Sequence, residues 1–220
     1  MATRQRIASL VSLAKAFQGR GELQVVFRTT SVSFPTDRPI AILGHKRTGK
    51  STLLKILARK VAPDHGGLIG ADQFSPLANV GGVFHGQLAA LENLRIVARL
   101  FGVDMDRLAA GAAALCEGDG DPDVLFNSAE PARRRALETA TILALPFPCY
   151  LVDDAGFLSS EFLARSFAAA AARRSGMIFA TANLRLARQH AEAALVIADQ
   201  TIYPFADIEE GIDFFDRQPR

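Results

Sequence analysis

The run Gly44-His45-Lys46-Arg47-Thr48-Gly49-Lys50-Ser51 constrains this chain more than any other feature. It fits the pattern G-x-x-x-x-G-K-[ST], and its surroundings suit it. The apolar run 40–43 enters the loop, and beyond Ser51 the residues Leu53, Leu54 and Leu57 recur at helical spacing. A strand, a glycine-flanked loop and a helix N-terminus together present backbone N–H groups to a phosphate chain. Lys50 then reaches the β and γ phosphates, and the Ser51 hydroxyl is a ligand for Mg²⁺. By average residue usage the pattern arises in roughly one chain in a hundred of this length, and the strand–loop–helix context lowers that further.

A site of this kind needs a second half, an apolar strand that ends in aspartate. Cys149-Tyr150-Leu151-Val152-Asp153 supplies it, with Asp153 as the carboxylate that holds Mg²⁺ directly or through water. The neighbouring Asp154 is the candidate for orienting or activating water.

The rest of the chain alternates between two hydrophobic periods. Strand candidates at 7–13, 23–27, 31–34 and 40–43 come first. Helical patterns at 91–100, 107–115, 131–145, 161–174, 184–193 and 207–215 then alternate with apolar strands at 149–152, 177–180 and 195–198. Pro63 and the pair Gly66–Gly67 are expected to end the first helix, and the acidic Gly/Asp stretch 117–123 to be the most flexible internal segment. The order predicts an α/β fold with a mostly parallel core sheet behind an antiparallel N-terminal sheet.

Composition excludes several alternatives. Hydrophobic residues at 49% and charged residues at 22% rule out wholesale disorder. Lys and Arg number 25 against 23 Asp and Glu, for a net charge of +2, and the basic positions are spread, so no nucleic-acid partner is expected. Two cysteines and four scattered histidines fit neither a disulfide framework nor a structural zinc site. No run approaches the roughly 20 apolar residues that cross a bilayer, and Glu138 and Arg165 interrupt the most apolar helices. The patch 7–13 behind Arg4 and Arg6 reads as a first strand rather than a leader.

The residues also carry a resemblance. The chain resembles the ATP-binding subunits of ABC transporters over nearly its whole length. Within them it is most similar to those that energise export of capsular or O-antigen polysaccharide. The resemblance rests on the loop and the following Thr52-Leu53-Leu54, on Pro63-Asp64-His65-Gly66-Gly67, and on Gly81-Gly82-Val83-Phe84-His85-Gly86-Gln87-Leu88 with Glu92-Asn93-Leu94. It rests further on Val97 to Gly102, Tyr150 to Asp154 and Asp207-Ile208-Glu209-Glu210-Gly211. It implies a P-loop NTPase of the ABC ATPase type, a single domain over 1–220 with a helical subdomain at roughly 91–145, and ATP with Mg²⁺ as ligands. Residues 44–52 then hold the nucleotide, Phe17 falls where the family stacks an aromatic on adenine, and His85 or Gln87 replaces the glutamine that lines the γ-phosphate. The implied partners are a polytopic membrane permease and a second ATP-binding subunit, in a homo- or heterodimer. The implied place is the cytoplasmic face of the bacterial inner membrane, as a peripheral subunit.

The departures from the family pattern concern chemistry. Arg47 replaces a usual glycine, and an arginine forced into a left-handed backbone costs roughly 1 kcal/mol. Glu130 and Pro131 stand where the motif that caps the partner's nucleotide supplies a serine hydroxyl; Arg133 or Arg134 could compensate. Asp154 shortens the catalytic glutamate by one methylene, and Ala182 occupies the position of a switch histidine, for which His190, on a helix surface, is a poor substitute. The resemblance therefore implies an exporter subunit with slow hydrolysis. The alternative is a non-hydrolysing regulatory or structural homologue beside an active subunit. A P-loop kinase or another small NTPase lacks a recognisable lid or acceptor segment here.

Overall fold

Strand β3 (Pro39–Leu43) is buried on both faces, and its side chains alternate between two cores. The computed structural model describes residues 6–19, 21–70, 73–78, 83–116 and 128–219. In it β3 lies inside a six-stranded sheet of order β5-β6-β7-β3-β8-β9. Its companions are β5 (Phe74–Ala78), β6 (Cys149–Val152), β7 (Gly176–Ala180), β8 (Ala193–Ala198) and β9 (Thr201–Phe205). All neighbours from β5 to β8 run parallel, and β9 closes the edge antiparallel to β8.

A parallel sheet covered on both faces reads as continuous apolar runs, and β6, β7 and β8 are buried at every position. The period of two sorts their side chains. Ile40, Ile42, Leu151 and Ile178 join one core with Leu53, Leu54 and Leu57 of α1 (Lys50–Leu57). That core also takes Leu10, Leu13 and Phe27 from the three-stranded antiparallel sheet β2-β1-β4, built of β1 (Ile7–Gln18), β2 (Leu23–Pro35) and β4 (His65–Ile69). Ala41, Leu43, Tyr150, Val152 and Phe179 face the other way, into the second core.

The second core is covered by helices. α2 (Ala90–Phe101), α3 (Met105–Leu115) and α4 (Pro131–Ala144) pack together as the helical subdomain, and α5 (Ser160–Ala172), α6 (Leu184–His190) and α7 (Ile208–Asp216) follow. Local chemistry places their ends. Gly102 closes α2 in the left-handed region, the Asp104 carboxylate accepts from Arg107 N–H at 2.9 Å to start α3, and Pro131 sits in the first turn of α4.

Three expectations need correction. The segments 23–27 and 31–34 are one strand, because β1 pairs along its length and carries Arg28–Thr30 with it. Gly66 and Gly67 do not end the first helix; α1 stops at Leu57 and the pair lies inside β4. Strand β9 was not foreseen, because its turn from β8, Asp199-Gln200, takes positive φ (46° and 61°) without a glycine. The stretch 117–123, expected to be flexible, lies outside the described residues.

Gly211 seats α7 against β8. A Cβ at Gly211 would lie 2.5 Å from the Ala194 Cβ, an atom with no rotamer to move. Alanine gains about 1 kcal/mol of helix propensity over glycine, but overpacking a rigid contact costs about 1–3 kcal/mol. Gly211→Ala is therefore expected to destabilise, lowering Tm by roughly 2–4 °C per kcal/mol lost, measured by thermal denaturation.

Candidate functional site

The loop leaves the C-terminal end of β3 in the middle of the parallel sheet, where open α/β sheets place ligands. Its backbone closes around Lys50. The Lys50 ammonium donates to the carbonyls of Gly44 at 2.5 Å and His45 at 2.8 Å, and the Thr48 hydroxyl donates to the same His45 carbonyl at 2.9 Å. Gly49 adopts φ 109°, and a Cβ there would lie 2.5 Å from Val26 Cγ1 and 3.0 Å from the Phe27 ring. This position therefore needs glycine both for its backbone and for the approach of β2. Arg47 has φ 66°, so the left-handed conformation expected to strain an arginine is the one it adopts. Lys46 is exposed, and the His45 ring lies 4.8 Å from that of Phe215 in α7, with Nε2 buried and without a hydrogen-bond partner among the described residues.

The two halves of the site meet. Ser51 Oγ donates to Asp153 Oδ1 at 3.1 Å across 102 residues of sequence. Asp153 is 8% exposed, and its N–H is held by the Ala78 carbonyl of β5 at 3.2 Å. A hydroxyl and a carboxylate oxygen are hard donors that suit Mg²⁺, which is usually bound by one or two protein groups with substrate phosphates and water. Among the described residues no cluster of three or more His, Cys, Asp or Glu offers an all-protein metal cage. Burial lowers the Lys50 pKa, against the opposing charges of Asp154 and Asp153. These oxygens and the ammonium fit a magnesium-bound phosphate chain.

Asp154 is exposed and left-handed at φ 46°. Burial and then the Asp153 charge raise its pKa, while Lys50 and Arg135 of α4 act the other way. Phe17, near the end of β1, lines a cavity of about 240 Å³ together with Arg47, Gly49, Lys50, Ser51 and Thr52. The aromatic and the phosphate loop thus share one cleft. The Lys15 ammonium lies 5.0 Å from the centre of the Phe17 ring.

His85 and Gln87 are exposed, in a turn held from behind. His85 N–H donates to Asn93 Oδ1 at 2.6 Å, Asn93 Nδ2 donates to the His85 carbonyl at 3.0 Å, and Phe84 N–H donates to the buried Glu138 carboxylate at 3.2 Å. Among the described residues, the hydrogen bonds of His85 and Gln87 run to Asn93 and within their own turn, not to Lys50, Ser51 or Asp153. Sequence reasoning missed Asn93 and Glu138 as anchors. The available signal was a charged residue inside an apolar helical run.

Glu130 is the N-cap residue of α4 and makes no capping hydrogen bond; Arg133 beside it is exposed. Ala182 lies between β7 and Asn183, whose side chain accepts from Arg185 N–H at 3.0 Å and Leu186 N–H at 3.2 Å to cap α6. His190 is not a plain surface residue: it stacks on Phe167 at 4.4 Å and 7°, and burial lowers its pKa.

No family model matches the chain. It is similar to the capsule polysaccharide export ATP-binding protein CtrD of Neisseria meningitidis serogroup B, 26% identical over 218 residues, which covers 96% of this chain and 99% of that protein. It is similar to the ATP-binding protein BexA of Haemophilus influenzae, 30% identical over 147 residues, covering 65% of this chain and 66% of that protein. The polysialic acid transport ATP-binding protein KpsT of Escherichia coli is 28% identical over 145 residues, with 65% and 66% covered. Among solved structures, an ATP-binding subunit of an ABC transporter superposes with a TM-score of 0.79 at 14% identity, covering 97% of this chain and 95% of that one. The dimeric cassette MJ0796 gives 0.78 at 15%, covering 91% and 98%. At such identities these two establish the fold. Among the described residues no helix is long and apolar enough to cross a membrane.

The Asp154 shift has a sign that can be measured. A carboxyl whose pKa is raised on folding binds its proton more firmly in the folded state, so ionising it costs stability once the pH exceeds the ordinary carboxylate range. Asp154→Asn is expected to raise Tm at neutral pH without nucleotide, and the gain should fade as the pH falls below that range. Thermal scans from pH 3 to pH 8 check it; a loss at neutral pH overturns the assignment.

Proposed function

We propose that this chain, which belongs to the ATP-binding subunits of ABC transporters, binds Mg-ATP and docks on a polytopic membrane permease that exports a capsular or O-antigen polysaccharide. The observation that carries the reading is the Ser51–Asp153 hydrogen bond, which joins the phosphate loop to the strand-terminal aspartate. The length of the likeness to the capsule export relative supports the subfamily.

In this reading residues 44–52 enclose the phosphates with backbone N–H groups, and Lys50 exchanges its carbonyl partners for phosphate oxygens. Ser51 and Asp153 would hold Mg²⁺, which would supply charge that neutralises the phosphates. Phe17 packs on the adenine face. Asp154 orients water, and His85 or Gln87 approaches the γ-phosphate side. The whole of 1–220 acts as one nucleotide-binding domain, and the helical part at roughly 91–145 meets the permease at the cytoplasmic face of the inner membrane.

Hydrolysis by the isolated chain is slow. Asp154 sets its carboxylate one methylene short of the family's glutamate, and about 1 Å of displacement is costly for positioned chemistry. Ala182 brings no imidazole. Glu130 presents a carboxylate where a partner's γ-phosphate would lie, a like-charge contact that weakens an ATP-closed homodimer. The same three departures favour a second reading, a non-hydrolysing subunit paired with a more regular sister.

Equilibrium titration tests the first half: wild type binds Mg-ATP, and Lys50→Ala loses most of that affinity. Phosphate release at saturating ATP tests the second. The expected turnover of wild type is below about 1 per second, the lower end of the usual enzyme range, and Asp154→Glu with Ala182→His raises it. Absence of binding by wild type up to millimolar Mg-ATP overturns the proposal.

A further inference from the structure

We propose that Arg47 contacts the nucleotide, its guanidinium taking the phosphate chain as a second cation of the loop beside Lys50. This rests on the reading that the loop binds Mg-ATP, and it gives a function to a residue that stands where the resembled family has glycine.

The backbone is the first support. Arg47 holds φ 66°, a conformation that glycine adopts without strain and arginine does not. Non-glycine residues persist in such conformations where the surrounding structure over-determines them, and these positions gather at ligand sites. The strain at Arg47 has no visible local return. No hydrogen bond, ion pair or ring contact holds its side chain among the described residues, and the side chain is exposed. Lys50, which shares its cavity, is engaged with the carbonyls of Gly44 and His45.

Position is the second support. Arg47 belongs to the wall between two cavities. On one side, about 240 Å³, it stands with Phe17, Gly49, Lys50 and Ser51. On the other, about 700 Å³, it stands with Glu22 and Asp199. The acidic side repels a phosphate chain, and the side with Lys50 attracts it. The charges on the two sides of the wall therefore favour an anion in the Phe17 cleft, which Arg47 lines. A guanidinium is a planar fork whose paired N–H donors match phosphate oxygens.

The proposal makes two effects of one substitution point in opposite directions. Arg47→Gly relieves the backbone and removes the contact. Without nucleotide its Tm should rise by about 2–4 °C, while its Kd for Mg-ATP weakens by about tenfold, the range of a charge-assisted hydrogen bond. Titrations at about 50 mM and about 300 mM salt should show that wild type loses more affinity between the two than Arg47→Gly does, because the missing contact is the screened one. Arg47→Lys keeps the charge without the fork and should fall between them. Arg47→Gly binding Mg-ATP as firmly as wild type, or more firmly, overturns the proposal. So does weaker binding with an unchanged salt dependence, or weaker binding in a protein that melts earlier. Lys50→Ala separates the layers: if wild type binds, Lys50→Ala does not and Arg47→Gly is unaltered, the role of Arg47 fails and the nucleotide reading stands. If wild type does not bind, both fall.

Discussion

Burial of β3 on both faces is the constraint on which the site depends. Ile40 and Ile42 commit to one core and Ala41 and Leu43 to the other, so the strand can neither slip nor tilt without exposing one set. Its parallel neighbours fix where the chain emerges. The end of β6 is separated from β3 by β7 alone, and that spacing sets Asp153 within hydrogen-bond distance of Ser51. The apolar alternation that stabilises the sheet is thus also what aligns two polar atoms from distant parts of the sequence.

Much of this was legible in the sequence, for identifiable reasons. The run 149–152 is apolar at every position, as a strand buried on both faces must be, and it ends where its pattern ends. The loop carries its own punctuation in Gly44 and Gly49. The left-handed backbone at Arg47 was readable because a glycine was missing from a position that needs one. What escaped was set by partners rather than by local residue chemistry. β2 continues through Arg28–Thr30 because β1 is beside it. β9 follows a turn of Asp and Gln that carries no glycine, and its Pro204 is tolerated because the strand is at the sheet's edge. Asn93 and Glu138 look like polar interruptions of apolar helices until the loop carrying His85 is seen resting on them.

The chemistry divides along the same line as the packing. Groups proposed to bind phosphate and metal sit on elements locked into the cores: Lys50 and Ser51 at the start of α1, Asp153 against β5. Groups expected to act on water or the γ-phosphate sit in exposed positions with fewer contacts, Asp154 past the sheet and His85 and Gln87 in a tethered turn. The residues that depart from the family pattern fall mostly in this second group. These positions are exposed and outside both cores, so the fold places fewer packing demands on them than on Lys50, Ser51 or Asp153.

The contact between His45 and Phe215 links the phosphate loop to the far end of the sequence. On a ribosome the loop is synthesised early, and β3, α1 and the antiparallel sheet are available long before α7 emerges. The ring that lies against His45 arrives only 170 residues later. Until then one wall of the loop is open to solvent and the buried Nε2 of His45 can be hydrated. The phosphate loop is therefore made well before its last wall, so a nascent chain halted before residue 215 carries every motif residue without the finished cradle.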